Sequence, residues 1–183
     1  MGPEMARVLV ACASKEGHTE HIAHHVARKL EDARHVTRMI NLSLHDGEAG
    51  ADDYDASILV GSVHRGGFAP ELTSFLMRHA PAIRAHPSAF LTVSLSAASH
   101  DAHELAGLGE IADKYLFEAG WRPDFVEHVA GAVHDRQLNL IEKVVLHSVV
   151  RQHGEELDAS GNTDFTDWKR LDRFVKEFSR KLG

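Results

Sequence analysis

The sequence predicts an α/β doubly wound sandwich: a five-stranded parallel sheet in the order 2-1-3-4-5, helices on both faces, and an inserted helix and loop after the fifth strand. Two observations carry this. Short apolar runs alternate with helix-length amphipathic segments along the chain, and each such alternation implies a parallel βαβ unit with a right-handed crossover. The chain also has 183 residues, 43% hydrophobic and 26% charged, enough for a real core in one domain. That domain is expected to span 1–183, with an ordered core at 6–182 and an insert at 134–163.

Residues 6–13, ARVLVACA, are continuously apolar and read as a strand buried on both faces. Residues 17–33 place Ile22, Ala23, Val26, Ala27 and Leu30 at a helical period. A second strand is expected at 35–42 and a third at 56–62, ASILVGS, behind the acidic turn DDYD. Residues 70–80 read as a helix with Pro70 in its first turn. The fourth strand is 88–96, SAFLTVSLS, and the next helix is 102–120, closed by Gly120. Residues 124–133 read as the fifth strand, and 164–182 as a last helix capped by Thr166 or Asp167.

The insert at 134–163 is far longer than the usual ~2–6 residues of a connection. Its first half, QLNLIEKVVLHSVVRQHG, looks helical: Leu138, Ile141, Val145 and Val149 share a face, widened by Leu140, Val144, Leu146 and Val150. Three roles are open for 138–150: cover for a hydrophobic ligand, a surface against a membrane or a second copy of the chain, or core packing. Its second half, EELDASGNTD, is polar and reads as a loop.

Composition narrows the function. A net charge of −7 argues against a general nucleic-acid binder. No apolar run approaches the ~18 residues that span a bilayer, and the start, MGPEMARVLV, lacks the pattern of a signal peptide. The single cysteine, Cys12, excludes an internal disulfide and fits a reducing, cytoplasmic setting. Cys12 itself reads as a core residue.

In a doubly wound sheet, ligands bind beyond the carboxyl ends of the strands, here the loops at 13–19, 61–68 and 95–101. In the first, Ser14 and Thr19 offer hydroxyls and Gly17 permits close backbone approach. The helix that follows supplies unpaired N–H groups and the positive end of its dipole. This is a cradle for a phosphate monoester; the alternative is a plain helix-capping turn. It is not a Walker loop, because G-x-x-x-x-G-K-[ST] is absent.

The spacing S-x-x-G-x-T-x-x-x-A-x-x-V, Ser14 to Val26, resembles the FMN phosphate signature of the flavodoxins. The departures lie upstream, where Ala11 and Cys12 replace bulkier residues. The resemblance implies that FMN is held at Ser14, Lys15, Glu16, Gly17, His18 and Thr19. It implies further that the flavin ring is framed by Ser62, Val63, His64, Arg65, Gly66 and Gly67 and by Leu95, Ser96, Ala97, Ala98, Ser99 and His100. Flavodoxins usually stack the ring between aromatic side chains of these two loops. Here neither loop has a tryptophan or tyrosine, and His64, Phe68 and His100 are the ring-bearing candidates. A bare flavin face would admit a large planar reductant; the alternative is that Phe68 packs against the following helix.

A narrower resemblance covers nearly the whole chain. SKEGHT (14–19), YDASILVGSVHRGG (54–67), HPSAFLTVSL (86–95), GWRPD with VAGAV (120–133) and TDW (166–168) are similar to the flavodoxin-like, quinone-dependent protoporphyrinogen oxidases (protoporphyrinogen IX dehydrogenases) of bacteria. This implies an FMN-dependent oxidation of protoporphyrinogen IX in heme biosynthesis, with a quinone as acceptor. It assigns the insert to the porphyrinogen site or to the inner face of the plasma membrane. Arg65 is the candidate catalytic side chain, beside the flavin or a substrate carboxylate, because a guanidinium suits planar anions. One departure matters: the insert carries Arg136, Lys143 and Arg151 against Asp135, Glu142, Glu155, Glu156 and Asp158, a net −2. A surface for a dianionic substrate or an anionic bilayer should be basic. Two other functions fit the same fold: an electron carrier docking a protein partner, which the acidic balance favours, and a small-quinone reductase.

Two further patterns have weaker readings. His18, His21 and His25 share a face of the first helix, and the default is a solvated face rather than a metal site. GLGEIA (107–112) matches a dinucleotide fingerprint but follows a helical segment rather than a strand, so no nicotinamide site is expected.

Overall fold

The computed structural model describes residues 5–15, 17–44, 50–51, 53–134, 146–147, 149–151 and 162–183. Strands β1 (Arg7–Ala13), β2 (Val36–Asn41), β3 (Ala56–Ser62), β4 (Ser88–Ser94) and β5 (Phe125–Ala130) form one sheet. All pair in parallel in the order β2-β1-β3-β4-β5, as the alternation predicts. Helices α1 (His18–Asp32), α2 (Pro70–Ala85) and α3 (Ala102–Glu118) follow β1, β3 and β4, and a last helix runs Trp168–Leu182.

The period-two alternation of β1 divides the core. Val8, Val10 and Cys12 face a cluster with Ile22, Val26 and Leu30 of α1 and Leu171, Phe174 and Phe178 of the last helix. Leu9, Ala11 and Ala13 face Leu72, Leu76 and Ile83 of α2, with Leu116 and Trp121 beyond. Both faces being covered explains why β1, β3 and β4 read as unbroken apolar runs. Trp121 is buried with its indole N–H donated to Ser88 Oγ at 3.2 Å.

Helix ends follow their cap chemistry. Asp167, not Thr166, caps the last helix, its carboxylate accepting from the Arg170 N–H at 2.9 Å. Gly120 (φ 58) closes α3 in a Schellman turn, with the Trp121 N–H on the Leu116 carbonyl and the Gly120 N–H on that of Phe117. The same turn closes α1, but there the left-handed residue is Arg34, φ 71.

Several boundaries differ from the sequence reading; the last helix, expected from 164, starts at Trp168. Helix α2 runs past Pro81 to Ala85; the carbonyl that loses its partner is that of exposed Met77, which water reaches. Strand β4 stops at Ser94, and Leu95–Ala98 winds into a 3-10 turn begun by Ser94, whose Oγ accepts from the Ala97 N–H. Strand β5 stops at Ala130; after Gly131 the chain starts β6 (Ala132–His134). Residues expected to end a loop instead form β7 (Asn162–Asp164), antiparallel to β6. Most of the predicted insert helix, including Leu138, Leu140, Ile141, Val144 and Val145, lies outside the described residues. Residues 146, 147 and 149–151 are helical. Val149 is fully buried against Ala98 and Ala130, with Leu95, Ala97 and Phe165 alongside, so this part of the insert packs on the body of the protein.

Candidate functional site

The first loop leaves β1 at Ala13, level in register with Gly61 of β3. Ser14 is buried, and Asn41 fixes its backbone on both sides: the Ser14 N–H donates to Asn41 Oδ1 (3.2 Å), and Asn41 Nδ2 donates to the Ser14 carbonyl (3.0 Å). Gly17 takes φ 90, with open space around the position a Cβ would occupy. Its N–H donates to Ser14 Oγ at 3.1 Å, an acceptor role that leaves the serine O–H to donate elsewhere. Helix α1 then begins without a side-chain cap, and Thr19 is buried in its first turn. Lys15 leans across to Glu71 in the first turn of α2, 3.4 Å away. Backbone hydrogen bonding at Glu71 holds its carboxyl below the ordinary range, with burial opposing and Lys15 assisting. Glu16 lies outside the described residues.

The second loop is a tight turn. His64 and Gly67 exchange backbone hydrogen bonds of 2.9 and 3.1 Å. Between them Arg65 (φ 50) and Gly66 (φ 76) are both left-handed, the signature of a type I′ turn. Ser62 ends β3, and the Val63 N–H donates to the Val93 carbonyl at 2.9 Å. His64, Arg65 and Gly66 are exposed. Phe68 turns inward, its ring 5.0 Å from Phe90 and 4.6 Å from Tyr115. Gly61 makes room for it: a Cβ there would stand 2.9 Å from Phe68 Cδ1. The structure thus gives Phe68 a packing role, with its ring on Phe90 of β4 and Tyr115 of α3 where the sequence reading set it against the following helix.

The third loop holds Leu95, Ser96, Ala97 and Ala98 in the 3-10 turn, followed by buried Ser99 and exposed His100. Ser99 Oγ accepts from the Asp101 N–H (3.0 Å), and Asp101 caps α3 through the N–H groups of His103 and Glu104. Parallel pairing brings all three loops to one end of the sheet.

Two groups of residues escaped the sequence reading. Asn41 is a buried polar side chain at the end of β2, between buried Ile40 and Leu42, and that polar residue between two apolar ones was its visible signal. The others tie the hairpin to α1. Thr166 Oγ1 donates to the Ala130 carbonyl (2.8 Å) and lies 3.0 Å from His18 Nε2. Asp164 Oδ1 is 3.6 Å from the same nitrogen. The histidine face of α1 is solvated only in part: His21 is exposed, whereas His18 and His25 are largely covered. His21 and His25 pack on Trp168 with ring centroids 5.2 and 4.7 Å away, and His25 bonds Asp172 at 2.7 Å. His25 and Lys29 beside Asp172 hold its carboxyl low against the opposing effect of burial. Among the described residues no group of three or more His, Cys, Asp or Glu is placed to hold a metal ion. GLGEIA lies within α3, away from any strand-to-helix turn.

An uncapped helix start behind a left-handed glycine, at the carboxyl end of the first strand of a 2-1-3-4-5 sheet, defines a mononucleotide-binding α/β protein. Residues 9–160 match the flavodoxin domain, and the chain belongs to that family. Its cofactor is FMN. The first loop fits that group, because the open space at Gly17 and the uncapped amides suit a phosphate. The chain is 28% identical over 180 residues to the protoporphyrinogen IX dehydrogenase [quinone] of Leishmania major, covering 98% of this chain and 77% of that protein. It is 24% identical over 173 residues to the protein of the same name from Escherichia coli (strain K12), covering 94% of each. Among solved structures, oxidised flavodoxin 1 from Bacillus cereus superposes with a TM-score of 0.58 at 16% identity, covering 97% of this chain and 99% of the other.

Proposed function

We propose that this FMN oxidoreductase dehydrogenates protoporphyrinogen IX, or a similar reduced tetrapyrrole, and passes the electrons to a quinone. The observation that carries the reading is the extent of the likeness to the dehydrogenases. It runs over 94% of this chain and of the Escherichia coli protein, and so takes in the insert.

In this reading Ser14, Lys15, Gly17, His18 and Thr19, with Glu16, hold the FMN phosphate. Residues 62–67 and 95–100 frame the ring. When bound, FMN supplies the redox chemistry, taking hydrogen from the substrate and yielding it to the quinone. The chain's own part is to bind, orient and admit. With Phe68 committed to the core, the second loop leaves a flavin face open to a planar substrate. Arg65, at the exposed tip of the turn, would meet a propionate carboxylate, to which a guanidinium can bond in bidentate fashion. No general base is needed, because the proton released with each hydride can go to water.

The test is to mix FMN-loaded protein with protoporphyrinogen and a menaquinone analogue under nitrogen and follow porphyrin fluorescence. A quinone-dependent rise is expected, and its absence refutes the substrate. A flavodoxin-type carrier docking a basic protein partner is the second reading, favoured by the net charge of −7. Contact with a membrane or a second copy through 138–150 belongs to the proposal as well. Among the described residues no helix is long and apolar enough to cross a bilayer.

A further inference from the structure

We infer that His18 and Thr166 are positioning residues that link FMN occupancy of the first loop to the β6–β7 hairpin and, through Gly131, to the third loop. The inference rests on the FMN reading of residues 14–19 and adds to it a connection to the segment that carries the insert.

The connection has a direction. A threonine hydroxyl has one hydrogen, and here it goes to the Ala130 carbonyl at 2.8 Å. Thr166 Oγ1 therefore accepts from His18, whose ring carries its hydrogen on Nε2, 3.0 Å away. Asp164 steadies the receiving end, its Oδ1 accepting from the Thr166 N–H at 2.9 Å. Both partners are shielded: Thr166 is buried, and the His18 side chain is 15% exposed.

His18 is the first residue of α1, directly after Gly17, so its backbone belongs to the phosphate cradle while its imidazole reaches the hairpin. The hairpin grips the third loop by a separate route. The Gly131 N–H donates to the Ser94 carbonyl (3.1 Å), and the Phe165 N–H donates to the Gly131 carbonyl (3.3 Å). A Cβ on Gly131 would stand 3.3 Å from Val93 Cγ1 and 4.0 Å from His18 Cδ2, so the glycine lets strand, hairpin and histidine meet. Residues 135–161 enter the chain between β6 and β7. An event that orders the first loop is thus passed to both stems of the insert. By linkage, whatever orders the hairpin raises FMN affinity by the same factor.

Hydrogen exchange of the full chain, with and without FMN, tests this through peptides covering 18–25 and 162–168. FMN is expected to slow exchange in both peptides of the wild type and of Thr166→Ser, which keeps the hydroxyl. In Thr166→Val, and in His18→Ala approached from the other side, the slowing at 162–168 should largely vanish while that at 18–25 persists. The FMN Kd should rise about fivefold, the loss expected of one hydrogen bond. A purely structural role would speed exchange with and without FMN alike and leave the FMN-dependent difference intact; that result in either variant overturns the link. Protection confined to 18–25 in the wild type overturns it too. If FMN slows exchange in neither peptide, the cofactor site itself is misplaced and the link falls with it.

Discussion

Among the described residues two arginines hold left-handed backbone, Arg34 at φ 71 and Arg65 at φ 50. Both are exposed, and neither makes an ion pair among the described residues. Arg34 closes α1 at the end of the sheet away from the three loops, where a Schellman turn favours glycine. Arg65 sits among those loops, in the first left-handed position of a turn whose second is Gly66. The left-handed region costs a non-glycine residue about 1–2 kcal/mol. At position 34 that strain closes a helix. At position 65 it fixes where a cation stands. A strained residue is thus informative about function only together with its location.

The largest effect expected of this contrast is on Arg65→Gly. Relieving the strain should raise unfolding stability by about 0.5–1 kcal/mol in urea titrations. If Arg65 holds a substrate carboxylate as proposed, losing that charge-assisted bond should raise the KM for protoporphyrinogen on the order of tenfold. An unchanged KM would mean that Arg65 holds no substrate carboxylate. Arg34→Gly should give a similar gain in stability with KM and kcat untouched, and Arg34→Ala, which keeps the strain, should give none. A fall in activity on Arg34→Gly would break the contrast.

The smallest effect lies next door, at His35. Its Nδ1 accepts from the Ala6 N–H (3.3 Å), so the hydrogen sits on Nε2, 2.7 Å from Ser179 Oγ. Burial lowers its pKa from the ordinary value. As pH falls below the unfolded value of about 6.5, the unfolded chain takes up a proton that the folded ring resists. The contribution of His35 is therefore whole above that value and is lost as pH drops toward the lowered folded value. Stability curves of the wild type and of His35→Asn should converge as acid is added, while FMN affinity at the opposite end of the sheet stays insensitive to the substitution. Parallel curves would remove His35 from the account.

Much of the fold could be read before the structure because β1, β3 and β4 are covered on both faces, and burial writes itself into sequence as unbroken runs such as ILV at 58–60. The first loop was legible for a similar reason: Ser14, Gly17 and Thr19 are spaced by the geometry of one turn. What stayed hidden depends on partners distant in the chain. The histidine face of α1 meets Trp168 and Asp172, 147 residues from His25, and no local pattern announces such a contact. Strand β7 is three polar residues, too short to show a period. Adjacent glycines at 66 and 67 advertised a turn, but the positive φ carried by Arg65 is set by the pairing of His64 with Gly67 and has no signature in composition.

Cys12 remains. Enclosure raises its thiol pKa to about 12, and Glu20 nearby adds to the rise. It lies two positions before Ser14, fully buried in the core beneath the first loop. The thiolate is the form that attacks oxidants and alkylating reagents, and this sulfur scarcely populates it near neutral pH. The one cysteine is thus shielded twice, by enclosure and by protonation, and alkylating reagents that inactivate exposed-thiol enzymes should leave the protein intact.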